Sequence, residues 1–275
     1  MSPVPGGVAR PQRTAGHARI GFALRDGRSV LTDLRQAGAA RIRLPRVPLA
    51  QPPEAVFINT GGGLTGGDRM TLAIELGPGA AGCVTGQACE KIYRADADVA
   101  RMTVTARLAA GAALAWIPQP AILFEGCAFE RSLSFDLESG ASLFALESSI
   151  FGRAAMGERL RTGRIDERWR VRRGGRLLWA SEQRIRDPEV QLASPATFDG
   201  GGASATFVYL GEDVDARLES LRLLLEGTTA RTGASVINGV LIGMLVARDA
   251  LHLMQDLQTV IEGVLERPVP RVWTC

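Results

Sequence analysis

From about His17 to about Tyr209 the chain is written in period two, with glycine-bearing turns between the runs. Met70, Leu72, Ile74 and Leu76 alternate with other residues before Gly77-Pro78-Gly79; Met102, Val104, Ala106 and Leu108 do so before Gly111, and Leu133, Phe135 and Leu137 before Ser139-Gly140. Apolar residues at every second position place one side of an extended chain against a core, a pattern that a helix cannot use. Trp169 and Val171 stand opposite Arg168, Arg170 and Arg172 just before Gly174-Gly175, which predicts a hairpin. The first two-thirds of the chain is therefore read as β-structure. No internal repeat accompanies the strands, so the pattern by itself leaves a sandwich, a barrel and a β-solenoid open.

The period changes in the C-terminal third. Val214, Leu218, Leu221 and Leu225 lie at helical spacing with Gly227 as a stop, and Ala250, Met254, Leu257, Ile261 and Leu265 repeat that spacing before Pro268. Between these two helices, Asn238-Gly239 divides two apolar runs as a hairpin turn does. Residues 1–16, rich in Pro, Gly and Arg without apolar periodicity, read as a flexible tail, and residues 17–275 as a single domain. A chain of 275 residues buries roughly 75% of its unfolded surface, enough for a full core.

Charge and composition exclude several classes. The net charge is +3, and the basic residues, all arginine except Lys91, are scattered among acids with no cationic run to track phosphates, so no nucleic-acid partner is expected. No apolar stretch reaches membrane-spanning length; Val236 to Ala247 is short and is interrupted by Asn238, Gly239 and Gly243. Cys83, Cys89, Cys127 and Cys275 form no CxxC pair, and the start has no signal-peptide pattern, which fits a soluble protein of the reducing cytoplasm.

Three segments carry candidate chemistry. Phe57 to Asp68 holds five glycines between Gly61 and Gly67. A phosphate loop is excluded because Asp68 and Arg69 stand where the lysine and hydroxyl residue would be needed, and a tight structural turn is favoured. In Thr85 to Arg94, Glu90 and Lys91 interrupt a strand-rich region, as solvated strand residues commonly do. In Leu143 to Ser148, Glu147 shares a strand face with Leu143 and Ala145, which puts a carboxylate on a buried face. Such an acid needs a partner, either Arg153 in a structural ion pair or a passing metal ion. Cys89, one residue from Glu90, is expected on the opposite face as buried filler.

A catalytic set is missing from the pattern. The two histidines, His17 and His252, are distant in sequence and read as surface or packing residues, and there is no GxSxG, HExxH or Cys-His pairing. A carbohydrate hydrolase using Asp68 and Glu147 as paired acids is the enzyme alternative.

The blocks NTGGGLTGGDRM, TGQACEKIYRA, AWIPQPAILFEGCAFERS, the stretch ending SSIFGRAAMGE, and the terminal PRVW resemble, in the same order, the signature blocks of the UreD (UreH) family of urease accessory proteins. The resemblance implies a core of right-handed β-helix type with two helices. It implies a non-catalytic scaffold that binds UreF and, through UreF, the GTPase UreG, and that docks on apo-urease for insertion of its nickel. It further implies an internal route for nickel(II) in transit, with no tightly bound cofactor. By position, Asp68, Glu90 and Glu147 fall along that route, with Glu182 as a fourth acid. Isolated carboxylates suit such a route because they hold nickel more weakly than imidazole or thiolate clusters. A pure adaptor between UreF and urease is the further alternative.

Overall fold

The computed structural model describes residues 13–274. In chain order the strands are β1 (Ala15–Arg25), β2 (Arg28–Gly38), β3 (Ala40–Arg43), β4 (Glu54–Asn59), β5 (Arg69–Leu76), β6 (Ala81–Gly86), β7 (Glu90–Ile92), β8 (Ala100–Leu108), β9 (Ala113–Ile117), β10 (Ala121–Leu123), β11 (Cys127–Leu137), β12 (Ser142–Phe151), β13 (Gly163–Arg173), β14 (Arg176–Ile185), β15 (Ala203–Leu210), β16 (Arg231–Ile237) and β17 (Val240–Ala247). Three helices join them, α1 (Pro188–Ala193), α2 (Val214–Glu226) and α3 (Ala250–Leu265).

From β4 to β13 the chain passes back and forth between two sheets, winding a β-solenoid of about four turns. The seven-stranded first sheet runs β14-β13-β11-β8-β5-β1-β2. Its inner five strands are parallel, and antiparallel β2 and β14 close its two edges. In the second sheet β4, β6, β9 and β12 are parallel, β3 closes one side, and β15, β17 and β16 extend the other side in antiparallel fashion. Short β7 and β10 continue it alongside the end of β12. Of the three architectures open to the strand pattern, the solenoid is the one formed.

The apolar residues expected inward are inward. Met70, Leu72, Ile74, Leu76, Val104, Phe135 and Val171 are all buried in the solenoid interior. Strand β11 alternates buried and half-buried over its whole length, because only one face of the first sheet meets a core. Strand β12 is instead buried at every position from Leu143 to Ser148. Leu143 and Ala145 point into the solenoid, while Phe144 and Leu146 join Leu221, Leu253, Leu257 and Ile261 in a second core beneath α2 and α3. Both helices thus exist to cover the outer face of the second sheet.

The turns follow their residues. Gly174 and Gly175 both take positive φ (55° and 78°) in the two-residue β13–β14 hairpin, as do Asn238 and Gly239 (51° and 75°) between β16 and β17, the geometry of a type I′ turn. Strand β1 begins at Ala15, two residues before the start expected at His17, and residues 1–12 of the expected tail lie outside the described residues. Helix α1 was not expected. Its signal was Asp187-Pro188, with an N-cap side chain accepting from the Val190 amide and proline at the first turn.

The PRVW block forms a single 3-10 turn, Arg271–Trp273, set into the second core. The Trp273 indole Nε1 donates to Thr85 Oγ1 and to the Ile117 carbonyl, each at 3.2 Å, and Gln119 Nε2 donates to the Val272 carbonyl at 3.0 Å. Among the described residues no helix is long and apolar enough to cross a membrane.

Candidate functional site

A cleft of about 240 Å³ opens where the glycine-rich segment, the β6–β7 connection and the Pro118-Gln119 corner meet. Asn59 organises its mouth. Its Oδ1 accepts from the Gly61 amide at 2.9 Å, and its Nδ2 donates to the Gly63 carbonyl at 3.2 Å and to Glu90 Oε1 at 2.9 Å. Gly62 and Gly63 form one wall. Gly63 has φ +145°, and a Cβ there would sit 2.7 Å from the Lys91 carbonyl oxygen and still closer to the Tyr93 ring, so only glycine fits. Next to it Leu64, fully buried, donates its amide to the Lys91 carbonyl at 2.7 Å and accepts from the Tyr93 amide at 2.7 Å. The segment is the structural turn expected, and it doubles as a cleft wall.

Glu90 and Glu147 line this cleft together. Glu90 sits half-buried near the mouth, and burial pushes its carboxyl up to about 7 against the pull of the Asn59 amide. Glu147 lies deeper, 3% exposed, on the interior face of β12. Its partner is Arg131 of β11, not Arg153 as the sequence suggested. Arg131 Nη1 donates to Glu147 Oε2 at 2.6 Å, and Trp116 Nε1 donates to Glu147 Oε1 at 2.8 Å. Arg153 is on the surface, paired with Glu158 at 2.5 Å and stacked over the Phe124 ring. The error came from proximity in sequence. In a solenoid the neighbour of a residue is one turn away along the chain, so an inward arginine on β11 outranks one six residues on.

Arg131 also reaches a second acid. Its Nε donates to Glu167 Oε2 at 2.9 Å and its Nη2 contacts the same oxygen, while Trp169 Nε1 donates to Glu167 Oε1 at 2.7 Å. A further bond runs from Nη2 to Ser149 Oγ at 3.3 Å. One arginine and two glutamates are thus enclosed in the solenoid interior. Desolvation pushes the Glu147 carboxyl up to about 7; the Arg131 guanidinium opposes that rise and the nearby Glu167 adds to it. Both Arg131 and Glu167 escaped the sequence reading, although a signal was present. Arg131 occupies an inward position in the run Phe129, Leu133, Phe135, and Glu167 stands two residues before Trp169 in the same inward register.

The remaining expected acids lie elsewhere. Asp68, 4% exposed, accepts from the Thr14 amide at 2.7 Å and from the Thr65 amide at 2.8 Å, tying the glycine-rich segment to the start of β1. Glu182 is on the outer face of the first sheet, paired with Arg168 and Arg184 at 2.7 Å each, and these two arginines hold its carboxyl below the ordinary range. Neither lines the cleft, so Asp68 and Glu147 do not form the paired acids of a hydrolase. Cys89 corrects another expectation. It lies outside any strand, between the Gln87-Ala88 bend and β7, where strand alternation does not apply, and it lines the same cleft as Glu90; burial raises its thiol. His17 bonds Thr71 on the surface, and His252 lies beside Asp249, the N-cap of α3. Cys275 lies outside the described residues. Among the described residues no three His, Cys, Asp or Glu side chains gather into a metal-holding group.

Fold and cleft define a class: a β-solenoid with a cleft that leads to enclosed charge, braced by two helices, in which the histidines and cysteines among the described residues form no metal-holding group. The family model described as UreD urease accessory protein matches residues 14–274. Proteins described as urease accessory protein UreD from Rhizobium etli, Rhizobium johnstonii and Azorhizobium caulinodans are 45%, 43% and 37% identical over 269, 266 and 268 residues. Those alignments cover 97%, 96% and 97% of this chain and 97%, 96% and 98% of the relatives. The chain belongs to the UreD family of urease accessory proteins.

Proposed function

We propose that this chain is a non-catalytic scaffold in the maturation of urease, acting in the cytoplasm with UreF and, through UreF, with the GTPase UreG on apo-urease. Within that assembly it offers nickel(II) a route through its interior. One observation carries the reading: a single cleft places Glu90 near its mouth and Glu147 deeper, on the interior face of the solenoid.

A route must attract a divalent cation and let it go. Glu90 suits the first task, with one carboxylate oxygen tied to Asn59 and the other without a hydrogen bond among the described residues. Release is favoured by the donor set. Nickel is held firmly by imidazole and thiolate, whereas this cleft offers carboxylate, amide and backbone oxygens together with a thiol whose ionisation burial disfavours. Nickel is then cargo rather than a resident cofactor. The raised carboxyls add a proton exchange: an acid near its midpoint at neutral pH surrenders a proton on meeting the cation and regains one on its departure.

The test is co-expression with the urease subunits, UreF and UreG, comparing nickel per urease for the wild type and a Glu90→Gln, Glu147→Gln double variant. Glutamine preserves shape and the capacity to accept from Asn59 and Trp116. A several-fold loss of nickel with the complex still co-purifying is the expected result. Full nickel content would reduce the protein to an adaptor between UreF and urease and remove Glu90 and Glu147 as route residues. Asp68→Asn, outside the cleft, serves as the control for damage to the fold.

A further inference from the structure

We infer that Arg131 is the lock on the deep end of this cleft: it occupies Glu147 and Glu167 together and keeps a divalent cation out until the Arg131–Glu147 contact opens. This rests on the proposal that a cation enters the cleft at all.

The geometry gives the lock its parts. Each oxygen of the two carboxylates is already engaged. Glu147 has Arg131 Nη1 on Oε2 and the Trp116 indole on Oε1, and Glu167 has Arg131 on Oε2 and the Trp169 indole on Oε1. A cation arriving from Glu90 therefore meets a guanidinium whose charge repels it and a carboxylate both of whose oxygens already accept a hydrogen bond. Arg131 and Glu147 both line the cleft while Glu167 does not, so their contact forms its floor and Glu167 lies behind. Arginine suits this task because it stays charged at any working pH and its planar fork holds two carboxylates at once. The three groups are enclosed, with side chains 4%, 2% and 9% exposed, so water does not screen the repulsion. Two acids hold the one base between them, which keeps the arginine in place.

Nickel binding by the purified full-length protein, measured by equilibrium dialysis with nickel chloride at pH 8, tests the lock without reference to urease activity. The readout is the nickel dissociation constant of the Arg131 variants against that of the wild type. Arg131→Met, which keeps length without charge, raises affinity by about tenfold or more, and adding Glu147→Gln to it removes the gain. A folded Arg131→Met protein that binds no tighter than wild type, or one whose gain survives the added Glu147→Gln, overturns the lock. If Arg131→Met does not fold, Arg131→Lys decides: it keeps a charge beside the acids but lacks the fork that spans Glu147 and Glu167, so affinity rises by about threefold or more, and a folded Arg131→Lys protein that binds no tighter than wild type overturns the lock. Failure of the route reads out separately: full urease nickel in the Glu90→Gln, Glu147→Gln variant removes the route while leaving these affinities as they are.

Discussion

Arginine meets carboxylate on both faces of the first sheet, and the same chemistry has opposite consequences on the two. On the outer face Glu130 bridges Arg101 and Arg164 at 3.2 and 3.3 Å, Asp166 takes Arg164 and Arg186 at 2.9 and 2.5 Å, and Glu182 takes Arg168 and Arg184. On the inner face a single arginine serves Glu147 and Glu167 among Trp116, Trp169 and Phe129. Glu130 and Arg131 are adjacent in β11, as are Asp166 and Glu167 in β13, so one step along a strand separates the two environments. Asp166 is covered by its arginines, but Glu130, Glu182 and the arginines themselves reach water, so the rest of the outer ladder is a solvated coat screened by water and salt. The inner group has no such screening and fixes where a charge can and cannot go.

That contrast is broken most directly at Arg131. Replacing it with alanine leaves two enclosed carboxyls without their base, and the expected loss is about 3–5 kcal/mol in urea denaturation. A loss under about 1 kcal/mol would mean that the interior is wet and the two faces are alike.

The next effect separates the faces by sign. Burial raises the Glu90 carboxyl to about 7, so the folded state holds its proton more tightly than the unfolded chain does. This acid therefore stabilises the fold less and less as pH climbs from about 5 to about 7, and the penalty is level above that. Glu90→Gln escapes the penalty, and its stability relative to wild type rises through that window by roughly 1–3 kcal/mol. Glu182 behaves in reverse. Its carboxyl is lowered by Arg168 and Arg184, so its contribution is present at neutral pH and is lost as pH falls through the carboxylate range. Thermal midpoints for Glu90→Gln and Glu182→Gln from pH 4 to 8 check both slopes, and slopes of the same sign would refute the division.

The smallest effect belongs to the outer coat alone. A double-mutant cycle on Arg101 and Glu130 is expected to give a coupling below about 1 kcal/mol that shrinks further in high salt. A larger, salt-resistant coupling would give the outer ladder the structural weight assigned here to the interior.

The parts of the fold legible in sequence are those in which one residue's neighbours lie close along the chain. The β5, β8, β11 and β13 alternations, the Gly174-Gly175 and Asn238-Gly239 turns and the spans of α2 and α3 all depend on periodicity or on local backbone geometry, and each is where the pattern put it. The inward placement of Glu147 was legible for the same reason, since Leu143 and Ala145 share its register. Arg131 was not read as its partner because sixteen positions of chain, from 131 to 147, separate them, and only the pitch of the solenoid closes that gap. Cys89 was misplaced because strand alternation was extended past the start of β7, into the connection that follows the Gln87-Ala88 bend.

By itself the sequence determined the β character, the inward faces, the hairpins and the two long helices, since a side chain's direction within a strand or helix follows from backbone periodicity. It also carried the ordered blocks that mark the family. Only the tertiary structure decided which inward residues meet. Stacking successive turns brought Arg131 between Glu147 and Glu167, set Glu90 and Glu147 on one cleft, and left Asp68 and Glu182 apart from it. The physical reason is that contact across a solenoid is fixed by the register of strands distant in sequence, and no local pattern encodes that register.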